Sequence, residues 1–397
     1  MEDQFYGDRS GQFEDPWGHR WNVATHVEDV PPDEMEQRAA QHLARDFERV
    51  GRSAPALDES LTGAARALAR KALERSAKEA ASTLAVTQAV SDANGYDPSP
   101  RALVIRGSPP DEALSSFLSR TDAKDEAASK MGVGASIQGD RAALVALLAT
   151  RKVSLKPFPR AAKPRSAHQL CGELVEPFSS ADVYVTRPDG QVDKIPLSLK
   201  DARFCAKLEL PSTGRYSIEL VGSGRQGPEV AAIFFVDAGT SQARGDHAAF
   251  SEPKSLAEAR SVILARINAV RKVHGLRPVE LDEVLNSVAQ TYSERMSSQN
   301  FFAHVAPDGS DLRKRLHSAG YDYQVAAENL GLATGALAAH FSIEQSPGHL
   351  RNLIDGRHAR LGIGVAYQKH NGQPEAVVTE ILAQPVSATS NWRGRSP

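Results

Sequence analysis

At 397 residues, 41% hydrophobic and 24% charged, the chain has the length of about two to three domains and the composition of ordinary globular protein. A formal net charge of -2, with no Lys/Arg tract and no stacking platform, speaks against nucleic acid as a partner. No run of about 18 apolar residues exists, so no transmembrane segment is predicted, and the two cysteines, Cys171 and Cys205, exclude a cysteine-rich scaffold and a CxxC redox or zinc motif.

Residues 1–40 carry YGDRSGQFEDPWGHRWNVATHVEDV followed by PPDEMEQRAA. They read as a strand, a turn at Asp15 to Gly18, a second strand through Trp21 and Val23, and a helix opening after Pro31 and Pro32. This stretch resembles the C-terminal end of PhnB-like proteins of the glyoxalase (vicinal oxygen chelate) superfamily. A piece below about 40 residues rarely folds alone, so it is expected to be a remnant, with His19 and His26 as turn and strand-end residues rather than ligands. The start, MEDQFYGDRSGQFEDP, lacks the basic and apolar regions of a signal peptide, which points to the cytoplasm.

Residues 41–160 are Ala-rich and helical, and they repeat the C-terminal part in outline. PALDESLTGAARALARK parallels PVELDEVLNSVAQTYSER, Gly95-Tyr96-Asp97 parallels Gly320-Tyr321-Asp322, and MGVGASIQ parallels LGIGVAYQ. This copy has no histidine between His42 and His168, and Leu103 falls where Glu328 would align, so it is expected to be a structural or binding copy without a site. Its GVG has no third glycine opening a helix, which favours strand packing over phosphate binding.

Residues 151–165 are basic and proline-punctuated, a strand end running into a linker. From 165 to 240 the pattern turns to period two, with Pro188-Asp189-Gly190 and Ser212-Thr213-Gly214 as turns, predicting a small antiparallel β-sandwich that serves as spacer or docking module. In FCAKLEL, Phe204, Ala206, Leu208 and Leu210 share one face and Cys205 lies on the other. A Cys171–Cys205 disulfide and two free thiols both remain open; the disulfide would imply an oxidising compartment.

Beyond a polar linker, Ser255 and Glu258 form a capping box, and Ala259, Ile263, Ile267 and Val270 trace one helix face ending at Gly275. A second helix runs from Asp282 to about Met296. FFAHVAPDGS, AAENLG and SPGHLRNL then set His304, Glu328 and His349 beside breakers such as Pro307, Gly309, Gly331, Pro347 and Gly348. Two histidines and a carboxylate converging from separate segments can bind a divalent cation or hold a water for general-base chemistry. The tail SATSNWRGRSP, residues 387–397, is polar and expected to be disordered.

Phe302, His304, Pro307, Asp308 and Gly309, then Gly320 and Tyr321, then Glu328, Asn329 and Leu330, then Ser346, Gly348, His349 and Asn352, then Leu361 to Gly364 and a closing VVTEILA keep the order and spacing of one family. Residues 252–386 thereby resemble the bacterial form of the CAP superfamily (cysteine-rich secretory, antigen 5 and pathogenesis-related proteins). The resemblance implies an α/β/α sandwich with helices on both sides of a mixed sheet. The whole chain then reads as α+β multidomain: a remnant, a degenerate CAP-like copy, a β-sandwich and a CAP domain.

The resemblance also implies a tetrad of two histidines and two acids. His304, Glu328 and His349 hold three of its positions; Ser346 stands where the second acid would be, Ile343 replaces a tryptophan, and Leu350 takes the place of an arginine. Glu344, two residues before Ser346, is rotated by about 200° along a helix and should face away. With one carboxylate instead of two, a cation such as zinc would be held weakly. The expected cleft comprises His304, Glu328, Asn329, Ser346 and His349, with Asn329 bracing loop backbone. His340 and Glu344 read as a solvated i to i+4 pair, and His317, His358 and His370 as surface residues.

Two function classes follow. One is a non-enzymatic binding module for a cation, a small molecule, a lipid or a cell-envelope component. The other is a hydrolase in which His304 or His349 activates water and Glu328 orients the imidazole or helps hold a metal; a Ser346–His349 nucleophile pair is a weaker variant. Glyoxalase-like chemistry ranks below both, since a partner chain would have to supply missing strands. CAP domains are usually exported, at odds with the polar start.

Overall fold

The computed structural model describes residues 2–3, 8–17, 19–26, 30–120, 126–175, 178–239, 251–370 and 373–386. The predicted tail at 387–397 and residues 240–250 of the polar linker lie outside them. The chain divides into two compact units: Met1–Ala162 with Leu170–Val175 and Ala231–Asp237, and Lys163–Gln169 with Glu176–Val230 and Ala238–Pro397.

In the first unit, β1 (Glu2–Asp3), β2 (Asp8–Glu14) and β3 (Arg20–His26) form an antiparallel sheet. In the turn after β2, Asp15 accepts from the backbone N–H groups of Trp17 and His19, and its second oxygen lies 3.0 Å from His19 Nδ1. His19 is thus an exposed turn residue. The side chain of His26 lies outside the described part.

Helix α1 (Pro32–Arg49) opens on proline with Asp33 and Glu34 in its first turn, as a helix N-terminus favours. Its face of Met35, Ala39, Leu43 and Phe47 is buried with Leu103, Leu114, Phe117 and Leu144. The expected boundary at residue 40 therefore needs correction. The apolar stripe runs through it, and the helix belongs to the core of the Ala-rich domain. That domain continues through β4 (Ala56–Leu57), α2 (Glu59–Glu74), α3 (Ala77–Ala80), α4 (Thr83–Asp92), β5 (Arg101–Gly107), α5 (Pro110–Leu118), β6 (Lys130–Gln138) and β7 (Arg141–Ala149).

The central strands are β8 (Val153–Leu155), β9 (Ala161–Ala162), β10 (Ser166–Leu174), β11 (Ser180–Thr186), β12 (Val192–Pro196), β13 (Arg203–Leu210), β14 (Gly214–Gly224) and β15 (Gly227–Ala238); in the first unit β8 pairs antiparallel with the end of β10, and in the second β11 lies antiparallel between β12 and β14. β13 alternates as its sequence dictates, with Phe204, Ala206, Leu208 and Leu210 buried and Cys205, Lys207 and Glu209 exposed. Neither cysteine is a free thiol; both are disulfide-bonded.

The C-terminal part of the second unit comprises α6 (Leu256–Val273), β16 (Glu280–Leu281), α7 (Glu283–Ser298), α8 (Leu312–Ser318), β17 (Tyr323–Ala333), α9 (Ala336–Gln345), α10 (Pro347–Leu353), β18 (Arg360–His370) and β19 (Gln373–Pro385). Ser255 caps α6 by accepting from Glu258 N–H. The mixed sheet runs β16-β18-β19-β17, with only β16 parallel to its neighbour. Ile263 and Ile267 of α6 and Ala339 and Ile343 of α9 pack with Ile363, Val378 and Leu382 on one face. Leu285 and Ala289 of α7 and Leu316 of α8 pack with Ile381 and Ala383 on the other.

The Ala-rich domain has the same sheet order, β4-β6-β7-β5, with the same single parallel pair. Asp58 and Asp282 cap α2 and α7 with their side chains. A Cβ on Gly132 would lie 2.2 Å from Leu61 C, and one on Gly362 2.2 Å from Leu285 C, so in both domains the strand meets the helix backbone where only glycine fits. The repeated GxG is a packing device. The strand registers correct one detail: Gly362 and Glu328 both pair with Ile381, whereas Gly132 and Ala102 both pair with Leu147. Ala102, not Leu103, holds the place of Glu328, because a slip of one residue turns a side chain to the other face.

Candidate functional site

His304 lies in the loop between α7 and α8, where Gly309 adopts a φ of +77° in a turn closed by Ala306 N–H to Ser310 O at 3.0 Å. Tyr292 of α7 donates its hydroxyl to Ala303 O at 2.6 Å. His304 Nδ1 is 2.9 Å from Glu328 Oε1, and Arg315 Nη2 donates to Glu328 Oε2 at 2.5 Å. Arg315 Nη1 also donates to the carbonyls of His304 at 3.2 Å and Ser310 at 3.0 Å, and its guanidinium lies 3.4 Å from the centre of the Tyr292 ring. One arginine thus ties the loop, the carboxylate and the aromatic floor together. Nothing in the sequence marks Arg315 except its place in α8, whose start Asp311 caps.

Glu328 sits on β17, an edge of the sheet, and its side chain is buried against α7 and α8. Both carboxylate oxygens are engaged, so it orients His304 rather than standing free as a ligand. Asn329, on the opposite face of the strand, donates to His349 O at 3.3 Å and accepts from Asn352 Nδ2 at 2.9 Å. Both partners lie in helix α10 (Pro347–Leu353), so Asn329 ties β17 to that helix rather than to loop backbone.

His349 is carried by α10, whose cap, Ser346, accepts from His349 N–H at 3.4 Å. His349 Nδ1 is buried with no hydrogen-bond partner. Burial holds the imidazole far down, at about 3, and the nearby His304 adds to the effect, so His349 is neutral at physiological pH. Ser346 Oγ donates at 2.7 Å to Glu219 Oε1, and Gly348 N–H donates at 2.7 Å to Glu219 Oε2. The hydroxyl therefore faces a carboxylate from β14, and a Ser346–His349 nucleophile pair is not formed. Burial pushes Glu219 up to about 7, against the pull of those two bonds. Glu219 reaches Ser346 from 127 residues away in the chain. Strand alternation puts Glu219 on a polar face, and nothing in the neighbouring residues distinguishes it there.

Glu344 faces away from this site, as its rotation along α9 predicts. It takes Arg266 through two bonds of 3.2 and 2.7 Å and His340 Nε2 at 3.0 Å. His340 is not a solvated surface residue: it is fully buried, with Nδ1 2.6 Å from Glu380 Oε1. α9 is covered on this side by the sheet, and β19 supplies the second carboxylate that makes burial tolerable. His358 is also buried rather than superficial, with Nδ1 3.1 Å from Asn352 O, and burial holds its pKa down. His317 is exposed as expected; the side chain of His370 lies outside the described part.

Among the described residues, no cluster of three or more His, Cys, Asp or Glu has metal-binding geometry. His304 Nε2 and the ring of His349 are the nitrogens that a cation could use. No described helix is long and apolar enough to cross a membrane.

Residues 264–381 match the family described as "Cysteine-rich secretory protein family" (CAP). They form a CAP domain, and the resemblance read from the sequence holds there. Two curated relatives come from Bacillus subtilis (strain 168). "Uncharacterized protein YkwD" is 28% identical over 117 residues, 29% of this chain and 45% of the relative. "Uncharacterized membrane protein YlbC" is 34% identical over 105 residues, 26% of this chain and 30% of the relative. The chain thus spans less than half the length of each. Among solved structures, an outer surface protein from Borrelia burgdorferi aligns with a TM-score of 0.30 and 18% identity, over 34% of this chain and 98% of that one. An extracellular SCP-domain protein from Bacillus anthracis aligns with a TM-score of 0.29 and 18% identity, over 54% of this chain and 82% of that one. The family match leaves residues 1–40 uncovered and lends no support to a glyoxalase-like remnant there.

Proposed function

We propose that the CAP domain is a binding module whose cleft at His304, Glu328 and His349 takes a ligand through imidazole nitrogens. The ligand class is a divalent cation such as zinc, weakly held, with a lipid or cell-envelope component as the larger partner. The observation that supports this best is the chain from Arg315 through Glu328 to His304 Nδ1, which commits one ring nitrogen and leaves Nε2 as a donor atom. A carboxylate behind a histidine is the arrangement that orients an imidazole toward a cation. Glu328 would therefore act from behind, with His304 and His349 as the ligands; the cation, when bound, would supply Lewis acidity and a site for an anionic or carbonyl oxygen.

A hydrolase is the second reading, favoured by the same His304–Glu328 pair, since an oriented imidazole can take a proton from water. Ser346 does not serve it as nucleophile, because its hydroxyl is held by Glu219.

The test is the two-bond 1H–15N spectrum of histidine-labelled full-length protein, titrated with zinc. Saturable shifts of the His304 and His349 rings with the other histidines unmoved are expected. Unmoved His304 and His349 rings would reject the cation site, and turnover of an ester or peptide probe lost in His304→Ala would transfer the assignment to the hydrolase.

A further inference from the structure

Tyr216, Ile218 and Leu220 of β14 fill one face of the strand, which leaves Ser217 and Glu219 to the other, yet those two are only 4% and 1% exposed. The outer face of the strand is covered. The first turn of α10 lies against Glu219, whose carboxylate spans Ser346 Oγ and Gly348 N–H, one on either side of Pro347. A Cβ on Gly348 would come within 2.9 Å of Glu219 Oε2 and 3.7 Å of Tyr184 in β11.

The same strands meet the domain at two further points. Gln226 O, in the turn between β14 and β15, accepts from Val305 N–H at 3.1 Å. Gly227, with a φ of +92°, has no room for a side chain, since its Cβ would lie 2.9 Å from His304 Cβ. At the Pro188-Asp189-Gly190 turn, a Cβ on Gly190 would lie 2.9 Å from the His274 ring at the end of α6. The loops of both site histidines are thus clamped by the β14 region: His304 through its neighbour Val305, and His349 through its neighbour Gly348.

We propose that Glu219 is a positioning residue of the His304–Glu328–His349 cleft, carried in by β14, so that the cleft takes its binding geometry only while these strands are docked on α10. The proposal rests on the cleft reading above. Glu219 touches neither imidazole; it fixes the turn from which His349 projects. Burying a carboxyl group behind two neutral donors is costly, and an apolar residue would fill an outer strand face without that cost. Here the group satisfies one backbone and one side-chain donor at the turn that carries a site histidine. The central strands are then part of the binding site, not a spacer beside it.

The test uses the full chain with Glu219→Ala, Glu219→Gln and Ser346→Ala. In Glu219→Ala, the His349 ring resonances are expected to shift and the Gly348 and His349 amides to exchange with solvent at least about tenfold faster, while zinc affinity falls about tenfold, the usual effect of losing an outer-sphere partner. Glu219→Gln, which keeps a polar group between both donors, is expected to restore all three readouts toward wild type. Ser346→Ala, which loses one bond and keeps the Gly348 contact, is expected to give an intermediate shift if Glu219→Ala does not fold. His349 resonances and exchange rates unchanged in Glu219→Ala, or equally disturbed in Glu219→Gln, would overturn the proposal. Absence of zinc binding in the wild type would instead count against the cleft reading, with the His349 spectrum still deciding the role of Glu219.

Discussion

Arg315 and Glu328 meet through Nη2 and Oε2 at 2.5 Å, with only 11% and 3% of their side chains exposed. The pair is what lets a carboxylate sit under the His304 loop at all. Without the guanidinium, Glu328 would keep only the imidazole as its partner in a buried setting.

Arg315→Ala is accordingly expected to destabilise the protein by about 3–5 kcal/mol, the cost of stranding a buried charge. Arg315→Met with Glu328→Gln should recover part of this, because the isolated charge is gone. Urea denaturation of the three proteins checks it; an Arg315→Ala midpoint equal to wild type would contradict the arrangement.

His340 provides a pH signature. Burial would lower its pKa, but Glu380 and Glu344 outweigh that and hold it raised at about 9. A histidine whose folded pKa is raised contributes stability that is complete below its ordinary value of 6.5 and is lost as pH rises through about 9. The melting temperature should therefore fall between those limits, and His340→Gln should flatten that part of the curve while lowering stability at pH 7 by about 3–5 kcal/mol. A wild-type curve level across the window and matched by the variant would contradict this.

The glycines of the two GxG strands should respond alike. In Gly362→Ala and Gly132→Ala, the new methyl would meet helix backbone at 2.2 Å in each case. Each change is expected to cost about 1–3 kcal/mol through overpacking, read from denaturation midpoints. A neutral effect at either position would show that the helix can withdraw from the strand.

The CAP domain is legible in the sequence because its motifs sit at element ends, where breakers and titratable residues are hard to confuse. His304, in a loop, and His349, in the first turn of α10, are visible in this way. Glu328 and Asn329 are visible through the family pattern although they sit in the middle of β17, and period two reveals the inner face of β13. Arg315 and Glu219 are not visible. Each acts across more than ten residues of chain, and each is an ordinary charged residue in its own element, one on a short helix and one on a strand's polar face. His340 misleads for a related reason: an i to i+4 pair looks solvated until a further carboxylate, here Glu380, arrives from a distant strand. The likeness of the Ala-rich domain to the C-terminal one can be seen in three short matches, but the placement of Ala102 opposite Leu147 needs the strand register.

The central claim, that His304 and His349 form a ligand-binding cleft, is tested most directly by zinc calorimetry on the full chain beside a His304→Ala, His349→Ala double variant. Saturable heat with one site in the wild type, abolished in the variant while the fold is retained, is the expected result. Equal heats in both proteins, or none in either, would contradict it and return the two histidines to the fold.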